Sequence, residues 1–317
     1  MAKYYLGIDL GGTNIAAGLV DETGKIIRKA STPTLAPRNY QEIVKDMVVL
    51  SENLVSQEGL SISDIKAVGI GNPGSVDYEN GTIAYANNLD FYNAPIREEF
   101  QKYYNLPVVL ENDANAAAYG EYMINGDNCG IFIAITLGTG VGGGIILDGN
   151  IFRGSNGAGA ELGHFTLVHN GLPCTCGKKG CWESYASATA LISQTKVAMA
   201  KHPESIMHSI AKDHGSVNGR TAFDAAKQGD GPALEVVKKY IEYVADGLVS
   251  VANIFQPDKI VIGGGISKEK DYLLNPIREY VNKYDYNKLF KKVDIEIATL
   301  YNDAGIIGAA LTAKNFK

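Results

Sequence analysis

Residues 4–27 read YYLGIDLGGTNIAAGLVDETGKII, and residues 131–152 read IFIAITLGTGVGGGIILDGNIF. Each opens with an apolar run, breaks at glycine and threonine, resumes as an apolar run and turns at an aspartate. The registers agree: Ile8 aligns with Ile135, Gly11 with Gly138 and Asp21 with Asp148. Short apolar runs bounded by glycine have the pattern of buried strands joined by tight turns. The spacing predicts two strand–turn–strand units, and hence a chain built from two related halves.

The rest of the chain supplies the other elements of an α/β fold. Residues 39–57 carry apolar side chains at helical spacing, and IKAVGIG (65–71) and PVVLEND (107–113) read as buried strands. A helix is predicted over 114–124, and longer ones over 183–201 and 232–256. KIVIGGGI (259–266) reads as a strand running into glycines. Strands alternating with helices predict sheets covered by helices. Ligands in such folds bind beyond the carboxyl ends of strands, where Asp9, Asp113, Gly138 and Gly263 are expected.

Composition narrows the function. The chain has 317 residues, 45% hydrophobic and 20% charged, as in ordinary globular proteins. Twenty-nine basic against 35 acidic residues leave a net charge of -6, which disfavours a broad grip on nucleic acid. MAKYYLGIDLGG has no long apolar run and predicts no signal peptide. The uncharged stretch 129–147 is about as long as a membrane span, but its six glycines make it a poor helix. It reads as two strands around a turn. The expectation is a cytoplasmic protein with no membrane partner.

Two segments match GxGxxG, at Gly69-Gly71-Gly74 and Gly138-Gly140-Gly143. A dinucleotide site needs a helix after the glycines. Here GSVDYENGTI and GIILDGNIF follow, a turn and a strand, so both matches fail. One glycine turn would need no more than a residue tolerant of positive φ. Three clusters at strand ends are another matter: Gly11-Gly12-Thr13, Gly138-Thr139-Gly140 and Gly263-Gly264-Gly265. Closely approachable backbone N–H groups suit phosphate oxygens, and each threonine adds a hydroxyl. They predict a nucleotide with its phosphates between the two hairpins and its base or ribose beside the third cluster.

Within VVLENDANAAAYGE, Asp113 stands where a strand gives way to a helix. Asp113, Asn112 or Asn115 could cap that helix. Equally, Asp113 could accept a hydroxyl proton, as an aspartate does in kinases. The residues alone leave the two even. CTCGKKGC (174–181) holds three of the four cysteines. Cys174 and Cys176 are too close for an easy disulfide, and C-x-C is not a redox pair. Three thiols on a glycine-turned knuckle suit a Cys₃His zinc site. His164, His169 and Cys129 are candidates for the fourth ligand, Cys129 reading rather as a small buried hydrophobe.

GIDLGGTNIAAGLVD, ENDANAAAYGE, TLGTGVGGGII, AELGHFTL, CTCGKKGCWES and IVIGGGIS stand in the order found in the ROK family (repressors, open reading frames, kinases). From Leu6 to about Gly308 the chain resembles its sugar kinases, most of all the bacterial ATP-dependent glucokinases. The resemblance implies an actin/hexokinase-like (ribonuclease H-like) two-lobed fold with a duplicated sheet-and-helix core. A smaller lobe would take residues 1–115 and about 305–317. A larger lobe would take 116–304, with the active site in the cleft and closure on sugar binding. The implied reaction is ATP-dependent phosphorylation of the 6-hydroxyl of glucose. N-acetylmannosamine, N-acetylglucosamine, fructose and allose are the other hexoses to weigh.

Carried over residue by residue, the resemblance makes Asp113 the catalytic base. Glu161, His164, Glu183 and Asn112 would hold the sugar, with Asn88 and Gly74 approaching it. Asp9 would order Mg²⁺ through its waters, since that ion takes one or two carboxylates with phosphates. Asn14 stands where many members carry lysine. His164 becomes the fourth ligand of a structural Zn²⁺ with Cys174, Cys176 and Cys181, its second ring nitrogen able to face the sugar. A homodimer or homotetramer is implied. A sugar-responsive regulator is the competing class. Its DNA-reading helix-turn-helix would precede the first hairpin, which here begins at Tyr4.

Overall fold

The computed structural model describes residues 3–126 and 128–315. The chain forms two compact units. Unit 1 comprises Met1–Asn128, Gly144–Ala160 and Leu300–Lys317; unit 2 comprises Cys129–Gly143 and Glu161–Thr299. The lobe boundary expected at 115/116 falls inside helix α3 (Asp113–Asn125), which stays whole in unit 1.

Thirteen strands are seen among the described residues. They are β1 (Tyr4–Leu10), β2 (Asn14–Asp21), β3 (Ile26–Pro33), β4 (Ile65–Asn72), β5 (Ser75–Asp77), β6 (Thr82–Ala86), β7 (Phe91–Ala94), β8 (Val108–Asn112), β9 (Ile131–Leu137), β10 (Val141–Leu147), β11 (Asn150–Ile151), β12 (Lys259–Gly263) and β13 (Asp294–Ile297). The helices besides α3 are α1 (Tyr40–Ser56), α2 (Ile96–Gln101), α4 (Glu183–Ala186), α5 (Ala188–Lys201), α6 (Met207–Asp213), α7 (Thr221–Ala226), α8 (Gly231–Phe255), α9 (Asp271–Tyr284) and α10 (Ala304–Asn315).

The sheets bear out the internal repeat. One has the order β3-β2-β1-β4-β8 and another β11-β10-β9-β12-β13, so strands in corresponding places pair alike. β1 and β4, like β9 and β12, are parallel neighbours, and β4–β8 matches β12–β13. β1 pairs antiparallel with β2 from Tyr4↔Asp21 to Leu10↔Ile15. β5, β6 and β7 make a separate small sheet.

Alternation along β1 sorts its side chains between two faces. Leu6, Ile8 and Leu10 join a core with Ile43, Met47 and Leu54 of α1. Tyr5, on the other face, packs with Ile306, Ala310 and Ala313 of α10. On that face the helix backbone lies close to the sheet. A Cβ on Gly7 would sit 1.9 Å from the Ile306 carbonyl oxygen, and one on Gly69 1.8 Å from that of Ala309. Asp9 belongs to this face by the same alternation.

The helix expected over 183–201 is two helices. Ser187 breaks it with extended backbone (φ -74°, ψ 162°) and caps α5 by accepting from the Ala190 N–H. Serine competes for backbone bonds in this way and favours caps over helix interiors. Cys129 also departs from expectation: it is only partly buried, just before β9. Among the described residues no helix is long and apolar enough to cross a membrane.

Candidate active site

In unit 1 the cap of α3 belongs to Asn112. Its side-chain oxygen accepts from the N–H groups of Ala114 (3.0 Å) and Asn115 (3.1 Å). Asp113 therefore stands at the first helical position, with Oδ1 accepting from the Ala114 N–H at 2.8 Å. The Asn112 amide also donates to the Gly74 carbonyl at 3.2 Å. Gly74 needs to be glycine twice over: its φ is +85°, and a Cβ would lie 2.0 Å from the Tyr85 carbonyl oxygen.

Asp9 sits on the α10 face of β1. A Cβ on Gly305, in the first turn of α10, would come within 2.6 Å of its Oδ2. The helix end thus presents backbone to the carboxylate, an arrangement that favours negative charge. Burial and then the like charge of Asp113 outweigh this and push the Asp9 carboxyl up to about 6. Two carboxylates that raise one another's cost of ionisation are a ready place for a cation. Gly12 borders Asn88, whose Cβ would be 3.2 Å from a Cβ added there. Thr13 and Asn14 are exposed at the hairpin tip.

The glycine clusters, with one exception, do not use positive φ. Gly11, Gly12, Gly138, Gly140, Gly263 and Gly265 all have ordinary backbone; only Gly264, with φ +84°, is in the left-handed region. At Gly140 a Cβ would lie 2.3 Å from Glu183 Oε2, the oxygen that accepts from the Val141 N–H. Gly138 and Gly265 would meet nothing within 4 Å. Neither conformation nor internal packing requires glycine at these two places. Both positions leave room for close approach by a ligand. Gly264 packs against Leu137 at the end of β9, so the third cluster and the second hairpin adjoin within unit 2.

The cysteines and one histidine also come together in unit 2. Single ligand atoms of His164, Cys174, Cys176 and Cys181 all lie within 4.8 Å of one another. Cys174 Sγ is 3.6 Å from His164 Nδ1, and Cys176 Sγ is 3.6 Å from Cys181 Sγ. Tetrahedral ligation with Zn–S of about 2.3 Å and Zn–N of about 2.0 Å gives ligand–ligand edges of about 3.5–3.8 Å. Gly177 (φ +87°) and Gly180 (φ +81°) make the tight turns. Burial, then hydrogen bonding with Cys176 and Cys174, pushes the Cys181 thiol up to about 12. A cation would relieve that crowding and hold the sulfurs as thiolates. His169 instead contacts its neighbour Asn170. Glu161 precedes His164 by three residues and is exposed, while Glu183 sends Oε2 to the Val141 N–H at 3.0 Å.

The ROK family model matches residues 5–315. A glucokinase of Halalkalibacterium halodurans is 37% identical over 314 residues, 98% of this chain and 95% of that protein. A solved ROK family glucokinase from Streptomyces griseus, in complex with glucose and AMPPNP, has 36% identity and a TM-score of 0.83 and covers 99% of this chain and 100% of its own. A xylose repressor of Caldicellulosiruptor bescii is 30% identical over 304 residues, 96% of this chain but 76% of that protein. This chain belongs to the ROK family. Its repeated sheets are those of the actin/hexokinase-like fold of ROK sugar kinases.

Within this ROK chain several residues around the site were not singled out from sequence. Glu111, buried at the end of β8, accepts from Tyr78 OH (2.6 Å), the Asn115 amide (3.1 Å) and the Asn112 N–H (2.9 Å) through Oε1. Its Oε2 pairs with Arg153 at 2.6 Å, and the guanidinium lies 4.7 Å from the centre of the Tyr78 ring. Burial and then the Glu111 charge push the Tyr78 hydroxyl well above the usual phenol range. Glu111 therefore braces the turn that carries Asp113. Thr34 braces the first hairpin, donating its hydroxyl to the Gly11 carbonyl (2.6 Å) and its N–H to that of Thr13 (2.8 Å). A charge directly after the apolar run PVVL is a visible signal for Glu111; nothing local marks its partner 42 residues away.

Proposed function

We infer that this protein is an ATP-dependent glucokinase that phosphorylates the 6-hydroxyl of glucose, with Asp113 as the base. The supporting observation is the division of labour at the start of α3. Asn112 is the capping residue, and next to it Asp113 sets a carboxylate at the strand–helix junction, its Oδ1 accepting from the Ala114 N–H and its charge felt by Asp9. In the proposal Asp113 orients the 6-hydroxyl and takes its proton as the γ-phosphoryl transfers. Most of the acceleration in such reactions comes from positioning and charge stabilisation.

The remaining assignments follow the same reading. Glu161, His164, Glu183 and Asn112 bind sugar hydroxyls, with Asn88 and the Gly74 turn beside them. Asp9 orders Mg²⁺ on the incoming ATP through water. The hairpins at Gly11-Gly12-Thr13-Asn14 and Gly138-Thr139-Gly140 take the phosphates, and Gly263-Gly264-Gly265 lies beside the ribose or base. His164, Cys174, Cys176 and Cys181 hold a structural Zn²⁺, which when bound fixes the knuckle and the His164 ring. The Nδ1 of that ring faces Cys174, so Nε2 is the nitrogen offered to the sugar. The protein works in the cytoplasm as a homodimer or homotetramer.

ADP release measured across glucose, mannose, fructose and the N-acetylated hexoses tests the substrate; the largest kcat/KM is expected for glucose. Asp113→Asn should lower kcat by about three orders of magnitude or more, a general-base loss at the upper part of its usual range, while glucose affinity stays within about twofold. A nearly active Asp113→Asn enzyme would remove Asp113 from the role of base.

A further inference from the structure

The second glycine hairpin is held from below by the segment that follows the cysteine knuckle. Three contacts do this, all within unit 2. Glu183 Oε2 accepts from the Val141 N–H at 3.0 Å. The Ala188 N–H donates to the Gly138 carbonyl at 2.8 Å. The Thr189 hydroxyl donates to the Thr139 carbonyl at 2.7 Å, across 50 residues of sequence. Across the turn itself, the Gly138 N–H donates to the Gly140 carbonyl at 3.0 Å.

These contacts dictate where the turn's amides point. In a trans peptide the carbonyl and the N–H lie on opposite sides. With the Gly138 carbonyl drawn to Ala188, the Thr139 N–H points away from α5. With the Thr139 carbonyl drawn to Thr189, the Gly140 N–H does the same. Neither N–H donates to another described residue. Two successive outward amides form an anion-binding concavity. Without the clamp, a glycine-flanked turn would sample many orientations and lose that entropy on binding.

We propose that the segment Glu183–Thr189 clamps the second hairpin in its phosphate-receiving form, and that Thr189 is a positioning residue for the phosphoryl donor. The inference rests on the glucokinase reading, which places ATP phosphates at this hairpin. It also gives Glu183 a second duty. One oxygen holds Val141 while the other lies 3.6 Å from Cys174 Sγ and 3.5 Å from the Thr175 hydroxyl, so knuckle and hairpin share one carboxylate.

Thr189 is exposed, so replacing its hydroxyl by a methyl disturbs no core. Thr189→Val should raise KM for ATP and the Kd for MgADP by about fivefold, the scale of one hydrogen bond. KM for glucose and the melting temperature should stay at wild-type values, and Thr189→Ser, which keeps the hydroxyl, should restore donor affinity. Should the branched Val variant fold poorly, Thr189→Ala reads the same loss. Unchanged MgADP affinity in Val and Ala variants overturns the proposal. So does a parallel rise in KM for glucose, or failure of Ser to rescue. The MgADP titration stands apart from turnover. A wild-type enzyme inactive on every hexose would sink the kinase reading, whereas an active wild type with an indifferent Thr189 would sink only the clamp.

Discussion

At the residue scale, the site is made by neighbours that do one another's ordinary work. Asn112 caps α3, and Asp113 keeps its carboxylate at the junction. Glu111, directly before them, is neutralised by Arg153 and spends its other oxygen on the Asn112 N–H and the Asn115 side chain. Asp9 shows the energetic consequence of burying a carboxylate and then setting a second one beside it. Its pKa is raised from 3.8 to about 6, so the folded state holds this proton more tightly than the unfolded chain does. The stability that this represents is complete below about pH 4 and is lost as pH rises through about 6. Asp9→Asn should therefore stabilise the magnesium-free protein above pH 6 by about 2–3 kcal/mol and flatten this part of its pH profile. Urea unfolding at pH 4.5 and 7.5 compares the two; a variant no more stable than wild type at pH 7.5 would contradict the raised pKa.

At the element scale, glycines let α10 lie backbone-close to its neighbours. Gly7 and Gly69 open the sheet beneath it. Gly308 of α10 faces α3: a Cβ there would lie 1.6 Å from the Ala116 carbonyl oxygen, and one on Gly120 would lie 2.4 Å from that of Ala304. The close fit seats the amino end of α10 beside Asp9 and packs α10 on the helix that starts at Asp113. An added methyl cannot be absorbed by rotating a side chain, since backbone is what it meets. Gly308→Ala should cost about 3 kcal/mol or more, the upper end for overpacking, despite the better helix propensity of alanine. Thermal unfolding checks this, and a melting temperature at or above that of wild type would count against the packing described.

At the scale of the whole molecule, two copies of one strand order carry different chemistry. The first copy ends in a carboxylate pair, Asp9 and Asp113. The second ends in open glycines at 138 and 265, with the cysteine knuckle between its hairpin and its later strands. Zinc bound at the knuckle would contribute directly to folding, because the ligand cluster cannot pre-exist in the unfolded chain. Removing it with a strong chelator should lower the melting temperature and abolish glucose binding, through His164 and Glu183. Metal content and glucose calorimetry on the same sample test this. Full glucose affinity in verified zinc-free protein would separate the knuckle from the sugar.

Features that depend on a few neighbouring residues could be read from the sequence alone. The paired strand–turn–strand units, the failure of both GxGxxG matches and the metal-like spacing of CTCGKKGC are local patterns, and strand period and turn chemistry write them directly into the chain. The tertiary structure alone decided which of Asp113, Asn112 and Asn115 caps α3, because all three can bond the same amides. It also showed that Gly138 and Gly265 need glycine for neither φ nor packing. It broke 183–201 at Ser187, where a side-chain cap outcompetes helical continuation. It paired Glu111 with Arg153 and Thr189 with Thr139, contacts across 42 and 50 residues. Such pairs leave no periodicity in the chain; they exist only once the sheets and helices have brought their ends together.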